Sequence, residues 1–349
     1  MLKPFIQAVV DGQQLGRAEA AQAMEIIMNG EASPPQIGSF LTAMRIRGET
    51  DEELAGFATV MRAKSLHVPL SGDYPVVDTC GTGGDHSNSF NISTTAAFVV
   101  AGAGVHVAKH GNRASTSRCG SADVLEALGV RIELAPEQVA ECIDRVGIGF
   151  MYAPAFHPAM RFAGPVRREI GVRTVFNLLG PITNPASATH QVVGVPSADI
   201  AKRLANVLGL LGSQHALVVN SSDGLDEIGI AGPSSVAEMV MRESVWVTNY
   251  EVTPEQFGLT RYEPEAVRGG NVSDNLEIIQ DVLAGAEGAQ RTITVFNAGA
   301  ALYAADAVSS IQDGIELAKE TIDSGAAREK LEALVSLTNR LTAKQTVAA

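Results

Sequence analysis

The stretch Pro75-Val-Val-Asp-Thr-Cys-Gly-Thr-Gly-Gly-Asp85, followed by Asn91-Ile-Ser-Thr-Thr95, decides the fold of this chain. A short apolar run ends in a cluster of glycines, and a helical pattern begins soon afterwards. Because glycine has no Cβ atom, such a loop brings backbone N–H groups close to an anion, and the next helix adds its N-terminal dipole. The stretch is neither a Walker loop nor a GxGxxG motif. It predicts a strand, a phosphate-binding loop and a helix; an ordinary strand-to-helix turn is the alternative.

Downstream of this stretch, strand and helix patterns alternate, which predicts an α/β fold with a mostly parallel central sheet covered by helices. We expect strands at 105–108, 131–134, 149–152, 191–195, 216–220, 237–241, 245–248 and 292–296. We expect helices at 92–102, 121–128, 136–146, 198–212, 298–305, 308–323 and 326–339.

Upstream, residues 1–70 show helical patterns and no strand pattern. Ile37, Phe40, Leu41 and Met44 form one apolar stripe at helical spacing, and Thr50 begins a capping box. We therefore expect a small all-helical domain at 1–72 and a large α/β domain at 73–349. The connector 154–190, with a helix at 158–170, is expected to contribute in part to the helical domain.

Composition restricts the function. The 349 residues carry 26 Lys+Arg and 39 Asp+Glu, a net charge of −13, which argues against a protein that coats nucleic acid or an anionic membrane. The three cysteines have no metal-binding spacing, and we expect a reducing, cytoplasmic location. No apolar run is long enough to predict a membrane span.

Two further segments suggest an anionic ligand. Lys109-His-Gly-Asn-Arg-Ala-Ser-Thr-Ser117 combines cations, an amide and hydroxyls, and no Asp or Glu occurs in the 37 residues from His86 to Ala122. Asp226 and Glu227, in Asp223-Gly-Leu-Asp-Glu227, are hard oxygen ligands suited to Mg²⁺. The alternative for the basic segment is an ordinary solvated loop. The alternative for the acidic segment is a common acidic turn. The guanidinium of Arg167 could hold a carboxylate in a two-pronged contact, but the sequence alone favours an ordinary surface helix with three arginines.

Six segments in order resemble the anthranilate phosphoribosyltransferase family: GTGGD, NIST, KHGNRAS, SADVLEALG, VRTVFNLLGPITNP and DGLDE. The resemblance covers nearly the whole chain. It implies transfer of the 5-phosphoribosyl group from 5-phosphoribosyl 1-diphosphate (PRPP) to the amine of anthranilate, with release of pyrophosphate, in tryptophan biosynthesis. It also implies a nucleoside phosphorylase-type fold, a homodimer formed through the helical domain, and two Mg²⁺ ions per subunit.

The resemblance also implies roles for particular residues. PRPP would be held by Gly81, Gly84, Asp85, Ser89, Asn91, Ile92, Ser93, Thr94, Lys109, His110, Gly111, Asn112, Arg113, Ala114, Ser115, Thr116, Ser117 and Ser121. Ser93, Asp226 and Glu227 would ligate Mg²⁺, and Gly81, Asn112 and Arg167 would contact anthranilate, with His110 nearby. No residue is assigned as an indispensable general base, because the anthranilate amine attacks with its own lone pair.

Two other functions remain open at this point. One is a pyrimidine nucleoside phosphorylase of the same fold, which typically carries Lys-His-Ser-Thr-Gly-Gly where this chain has Asp-Thr-Cys-Gly-Thr-Gly-Gly-Asp. The other is a non-catalytic relative that binds nucleic acid, against which the negative net charge argues.

Overall fold

The central element of the fold is one seven-stranded sheet, seen in a computed structural model that describes residues 1–85, 87–114 and 118–348. Its strands are β1 (Val76–Gly81), β2 (His106–Gly111), β3 (Ile148–Tyr152), β4 (His190–Gly194), β5 (His215–Ser221), β6 (Ser234–Met241) and β7 (Val245–Val252). The strand order is β3-β2-β1-β4-β5-β6-β7. Strands β1 to β5 are parallel, whereas β6 and β7 are antiparallel to their neighbours. The mostly parallel sheet predicted from the sequence is confirmed.

Helices precede the sheet and then cover both of its faces. Four come first: α1 (Lys3–Val10), α2 (Arg17–Met28), α3 (Pro34–Arg47) and α4 (Asp51–Lys64). The others are α5 (Ile92–Gly102), α6 (Ser121–Ala127), α7 (Pro136–Val146), α8 (Ala153–Phe156), α9 (Met160–Ile170), α10 (Phe176–Leu179), α11 (Ala198–Leu210), α12 (Val272–Leu283), α13 (Ala289–Ala304), α14 (Ile311–Asp323) and α15 (Ala326–Ala348). Short 3-10 helices occupy Pro254–Phe257 and Pro264–Val267. None of the helices in the described part of the chain is both long and apolar enough to cross a bilayer.

Two strand predictions are wrong. Residues 131–134 have no regular secondary structure, although Ile132 and Leu134 are buried, and they pair with no described strand; the Arg131 amide instead donates to Thr338 Oγ1 at 3.1 Å. Residues 292–296 lie inside α13, which is buried on most of its circumference. A short apolar run rich in β-branched residues fits a buried helix as well as a buried strand. Here tertiary packing favours the helix. Helix α12 was not predicted.

The sheet separates two hydrophobic cores, because alternate side chains of a strand point to opposite faces. Val192 and Leu217 belong to the core shared with α5, α13, α14 and α15. Val193 and Val218 belong to the core shared with α1 to α4, α9 and α11. The connector also supplies the second core, through Ala163, Val166, Val175, Phe176, Leu179 and Ile182. This packing supports its expected association with the N-terminal helices, while the boundary at residues 72 and 73 stays a prediction.

Candidate active site

The candidate site lies at the carboxyl ends of the parallel strands, where loops following β1, β2 and β5 meet. In open parallel sheets this edge is the usual place for ligands. Here the three loops enclose a cavity of about 320 Å³. It joins the three segments that the sequence indicated separately: the glycine loop Gly81–Asp85, the basic segment from Lys109, and the carboxylates of Asp226 and Glu227.

The glycine loop presents backbone amides to this cavity. Gly83 and Gly84 have φ values of +66° and +74°, a left-handed conformation that favours glycine. The Gly83 amide donates to Asp226 Oδ2 at 2.8 Å. The amides of Gly84 and Asp85 donate to no residue that the structure describes. Both therefore remain available for an oxyanion.

Two glycines allow the acidic loop to cross the ends of β1 and β4. Gly81 and Gly194 are paired in the sheet register. A Cβ atom on Gly81 would lie 2.4 Å from Asp226 Oδ2, and one on Gly194 would lie 1.5 Å from the Asp226 carbonyl oxygen. Neither contact is physically possible, so the position of Asp226 requires glycine at both places.

The carboxyl groups of Asp85, Asp226 and Glu227 lie close together where the acidic loop crosses the ends of β1 and β4. Burial, followed by the charges of Asp85 and Glu227, raises the pKa of Asp226 well above its usual value. Burial raises the pKa of Glu227 to about 7, although the nearby Lys109 ammonium and the Ser93 N–H, which donates to Glu227 Oε1 at 3.1 Å, oppose the shift. Negative charge is therefore destabilised here without a cation, and the oxygen donors are those that Mg²⁺ prefers.

Within the described chain, no three His, Cys, Asp or Glu side chains are arranged to hold one metal ion by themselves. An ion at this place would take its remaining ligands from water and ligand phosphates. Mg²⁺ commonly binds in this way, through one or two carboxylates. The residues present thus fit a magnesium ion that arrives with a phosphorylated substrate.

Lys109 and His110 point to opposite sides of β2. Lys109 is buried, and its ammonium donates to the Thr79 carbonyl and to Ser93 Oγ. Burial lowers its pKa, while Asp78, Cys80 and Glu227 oppose that shift. The ammonium thus supplies positive charge at the start of α5, beside the carboxyl cluster.

His110 is a neutral imidazole. Its Nδ1 lies 3.2 Å from the Gly180 carbonyl oxygen, which only accepts, so Nδ1 carries the proton. Burial, and next the neighbouring His157 ring 5.1 Å away, lower the pKa of His110 to about 3. Its Nε2 is buried and has no hydrogen-bond partner among the described residues, and the same holds for Asn91 Oδ1. Both residues line the cavity, so these atoms are acceptors for a ligand.

Most of the residues expected at the site come together. The cavity is lined by Gly81, Gly84, Asp85, Ser89, Asn91, Ile92, Ser93, Thr94, Lys109, His110, Gly111, Asn112, Arg113, Ala114, Ser121, Asp226 and Glu227. Ser115, Thr116 and Ser117 lie outside the described residues. Gly83 of the predicted glycine loop also lines it, and sequence reasoning missed Cys80, Thr82, Ser87, Asn88, Phe90, Cys119 and Gly120. All of these neighbour predicted residues along the chain, which is the signal that was available.

Arg167 does not line this cavity. It lies half-buried on α9, where its guanidinium carbon is 5.1 Å from the centre of the Phe176 ring. Burial lowers its pKa. No carboxylate of the described chain forms an ion pair with it, so its charge is uncompensated by the protein residues seen here.

Buried Asp78 was also missed as a supporting residue. It accepts hydrogen bonds from the His110 amide at 3.2 Å and from Asn184 Nδ2 at 2.8 Å. Burial raises its pKa to about 6, against the effect of Lys109. Asn184 Nδ2 also donates to the Ala108 carbonyl, so Asp78 and Asn184 together fix the end of β2.

Comparisons with known proteins agree with this geometry. The glycosyl transferase family, a/b domain, matches residues 73–328, and the glycosyl transferase family, helical bundle domain, matches residues 3–65. The anthranilate phosphoribosyltransferase of Symbiobacterium thermophilum is 53% identical over 343 residues, covering 98% of this chain and 99% of the relative. That of Chloroflexus aggregans is 54% identical and covers 96% and 98%.

Solved structures give the same result. The anthranilate phosphoribosyltransferase of Thermus thermophilus has a TM-score of 0.90 at 42% identity, covering 96% of this chain and 99% of that one. The Saccharomyces cerevisiae enzyme in complex with PRPP and Mg has a TM-score of 0.88 at 27% identity, with 97% and 98% covered. The same yeast enzyme in complex with 4-fluoroanthranilate has a TM-score of 0.85 at 25% identity, with 97% and 98% covered.

Proposed function

Because the chain belongs to the anthranilate phosphoribosyltransferase family, we propose that it makes N-(5-phosphoribosyl)anthranilate and pyrophosphate from PRPP and anthranilate, in tryptophan biosynthesis. One observation carries the proposal: free loop amides, the Lys109 ammonium and the carboxylates of Asp226 and Glu227 line a single cavity. The relatives and solved structures compared above support neither a nucleoside phosphorylase nor a nucleic-acid-binding relative.

PRPP would bind along the glycine loop and the start of α5. The amides of Gly84 and Asp85 are placed to donate to phosphate oxygens, as is the first turn of α5 from Ile92 to Thr94. Asn112 and Arg113, which follow β2 and line the cavity, would donate to the remaining oxygens.

Magnesium would be held by Ser93, Asp226 and Glu227, with two ions per subunit. The support is the crowding of buried carboxyl groups, which a cation relieves, and the yeast relative solved with PRPP and Mg. When bound, the metal supplies charge neutralisation on the departing pyrophosphate. The amides of the glycine loop assist by donating to the same oxygens, where negative charge develops.

Anthranilate would bind beside Gly81 and Asn112, with Arg167 forming a two-pronged contact to its carboxylate. The uncompensated charge of Arg167 supports this role. His110 Nε2, which has no proton and no protein partner, would accept a hydrogen bond from the amine N–H and direct the nitrogen lone pair towards the ribose C1. With a pKa near 3, His110 is too weak a base to be the essential proton acceptor, so positioning supplies much of the acceleration.

A fluorescence assay of anthranilate consumption tests the function. Consumption should require both PRPP and Mg²⁺, and pyrophosphate should appear in equal amount. The matched reaction is thymine release from thymidine and inorganic phosphate, which should not occur. Thymine release without anthranilate consumption would replace the proposal with the phosphorylase alternative.

We further propose a cytoplasmic homodimer. Val10 on α1 and Ile46 on α3 have exposed fractions of 64% and 82%. The two helices pack against each other. Exposed apolar side chains on adjacent helices are suited to an interface between two copies. Light scattering coupled to gel filtration should give twice the 36.5 kDa chain mass, and Ile46→Glu should shift it towards the monomer.

A further inference from the structure

The glycine loop is held by an arginine that sequence reasoning did not assign. Arg173 Nη1 donates to the Gly84 carbonyl at 3.0 Å, and Arg173 Nη2 donates to the Gly83 carbonyl at 3.1 Å. Arg173 does not line the cavity, although both glycines do. The guanidinium therefore contacts the loop through its carbonyl oxygens, whereas a ligand in the cavity meets the amides of Gly84 and Asp85.

The fit between this arginine and the loop is close. A Cβ atom on Gly84 would lie 2.4 Å from Arg173 Nη1, so a side chain at position 84 and the guanidinium in its present place exclude each other. Gly83 and Gly84 both have positive φ values, which direct successive carbonyls to the two prongs of one planar fork. The planar guanidinium matches these two carbonyls with two parallel N–H donors, whereas a lysine ammonium can donate to two oxygens but lacks this fixed geometry.

The loop needs an external support. Glycine-rich segments lose more backbone entropy on ordering than other segments. The other described contacts that hold the loop are few: Thr82 N donates to the Gly194 carbonyl at 2.9 Å, and Gly83 N donates to Asp226 Oδ2. At the end of the loop, the Asp85 carboxylate accepts from Ser87 N at 3.2 Å and from Asp226 N at 3.4 Å. Of the contacts made by Gly83 and Gly84 themselves, Gly83 N to Asp226 Oδ2 uses a carboxylate that the proposed function assigns to Mg²⁺. Once a metal ion engages that carboxylate, the two hydrogen bonds from Arg173 become the main remaining restraint on Gly83 and Gly84.

We infer that Arg173 is a positioning residue for the diphosphate of the donor substrate. It holds the carbonyls of Gly83 and Gly84 so that the amides of Gly84 and Asp85 are preorganised for the pyrophosphate group. The inference rests on the proposed function for the identity of that ligand. Arg173 also lies on the turn that follows α9, six residues beyond Arg167, so one segment carries both the acceptor-binding residue and the support of the donor loop.

The test compares Arg173→Ala and Arg173→Lys with Arg168→Ala. Arg168 is exposed on α9 and has no assigned role, so its removal controls for the loss of one positive charge. We expect Arg173→Ala to raise the KM for PRPP about 10- to 100-fold, as the loss of two charge-assisted hydrogen bonds implies, while the KM for anthranilate stays within about twofold. Arg173→Lys should fall between Ala and the wild type, and added guanidinium ion should partly restore the Ala variant.

A second measurement is independent of catalysis. Titration calorimetry with magnesium pyrophosphate should show the same weakening in Arg173→Ala and none in Arg168→Ala. If the wild-type chain binds magnesium pyrophosphate but does not consume anthranilate, the proposed function fails while this inference stands. Thermal unfolding shows whether each variant is folded. If Arg173→Ala unfolds below the assay temperature, Arg173→Lys is compared with the wild type instead.

An unchanged KM for PRPP in well-folded Arg173→Ala, or an equal effect in Arg168→Ala, overturns the inference. A parallel rise of both KM values, without rescue by guanidinium, also overturns it, since that pattern indicates general damage to the structure. A double-mutant cycle with Gly84→Ala adds a check: the penalty of the added methyl should be smaller when Arg173 is already alanine, because its closest contact has been removed.

Discussion

At the scale of single residues, Gly194 is the position that most strictly controls the site. It belongs to β4, a strand that the sequence predicted but to which it assigned no part in the site, yet the Asp226 backbone lies directly against it. The contact is invisible in the sequence, because residues 194 and 226 are separated by a helix and a complete strand. Glycine is needed here for close approach of two backbones, and its conformational freedom is not the reason.

We predict that Gly194→Ala displaces the segment carrying Asp226 and Glu227. Activity should fall at least about 100-fold, and the free energy of unfolding should fall by about 2–3 kcal/mol through overpacking. The control is Gly164→Ala in α9, where the added methyl meets only Arg168 Nη1 at 3.8 Å and should be tolerated. Steady-state assays and urea unfolding measure both effects. Full activity in Gly194→Ala would contradict the placement of Asp226.

A second residue-scale prediction concerns His110. His110→Ala should lower kcat without abolishing turnover, and the acidic limb of the pH–rate profile should not move, because a group with a pKa near 3 does not titrate in the assay range. Complete loss of turnover with normal binding of both substrates would instead establish His110 as an essential proton acceptor.

At the scale of elements, helix ends follow the sequence closely. The capping box predicted at Thr50 is confirmed: Thr50 Oγ1 accepts the Glu53 amide at 3.2 Å, and Glu53 Oε2 accepts the Thr50 amide at 2.8 Å. Tertiary contacts strengthen this capping box, because the fully buried Glu53 carboxylate also accepts the Leu15 amide at 2.8 Å and forms an ion pair with Arg47. Glu53 thus connects the start of α4 to the segment just before α2 and to the end of α3.

We predict that Glu53→Ala destabilises the protein by about 3–5 kcal/mol, the usual cost of removing one partner of a buried ion pair. Glu52→Ala is the matched control, since Glu52 is exposed in the same first turn. Urea unfolding measures the difference. Equal effects of the two substitutions would show that only the helix dipole is involved.

Two segments outside the sheet show where sequence periodicity fails to predict secondary structure. Residues 131–134 alternate between buried and exposed like a strand, yet no neighbouring strand is available to them. Residues 292–296 have the composition of a strand and form part of a helix. In both cases the sequence correctly indicates burial, while hydrogen-bonding partners distant in the chain determine the backbone conformation.

At the scale of the whole molecule, the N-terminal helices are attached to the α/β part by contacts of two partly buried arginines. Arg62 donates to the carbonyls of Ile182 at 2.9 Å and Leu211 at 3.1 Å, and burial lowers its pKa to about 10. Arg203 on α11 forms a salt bridge with Asp51 at the start of α4. These contacts join α4 to α11, so both parts depend on one another for stability.

At the same scale, acidification should remove the contribution that neutral, buried His157 makes to global stability. Burial lowers the pKa of His157 to about 4, below its ordinary value of 6.5. As the pH falls, the unfolded chain therefore binds a proton at His157 before the folded chain does. The contribution of His157 to the free energy of unfolding is lost as the pH falls below 6.5. From pH 7 to pH 5 this residue alone should remove about 2 kcal/mol. His157→Asn should abolish that part of the pH dependence, whereas His67→Asn, at an exposed position, should not. Identical pH dependence in all three proteins would contradict the prediction.

The sequence by itself determined the α/β class, the glycine loop, many of the helix starts and most of the residues lining the cavity. These are local properties: glycine conformation, capping chemistry and the ends of parallel strands act within a few residues. Tertiary structure alone decided that Arg173 supports the loop, that Gly194 admits Asp226 and that Arg167 lies outside the cavity. Those contacts join segments far apart in the chain, and they form only when packing across both faces of the sheet brings the segments together.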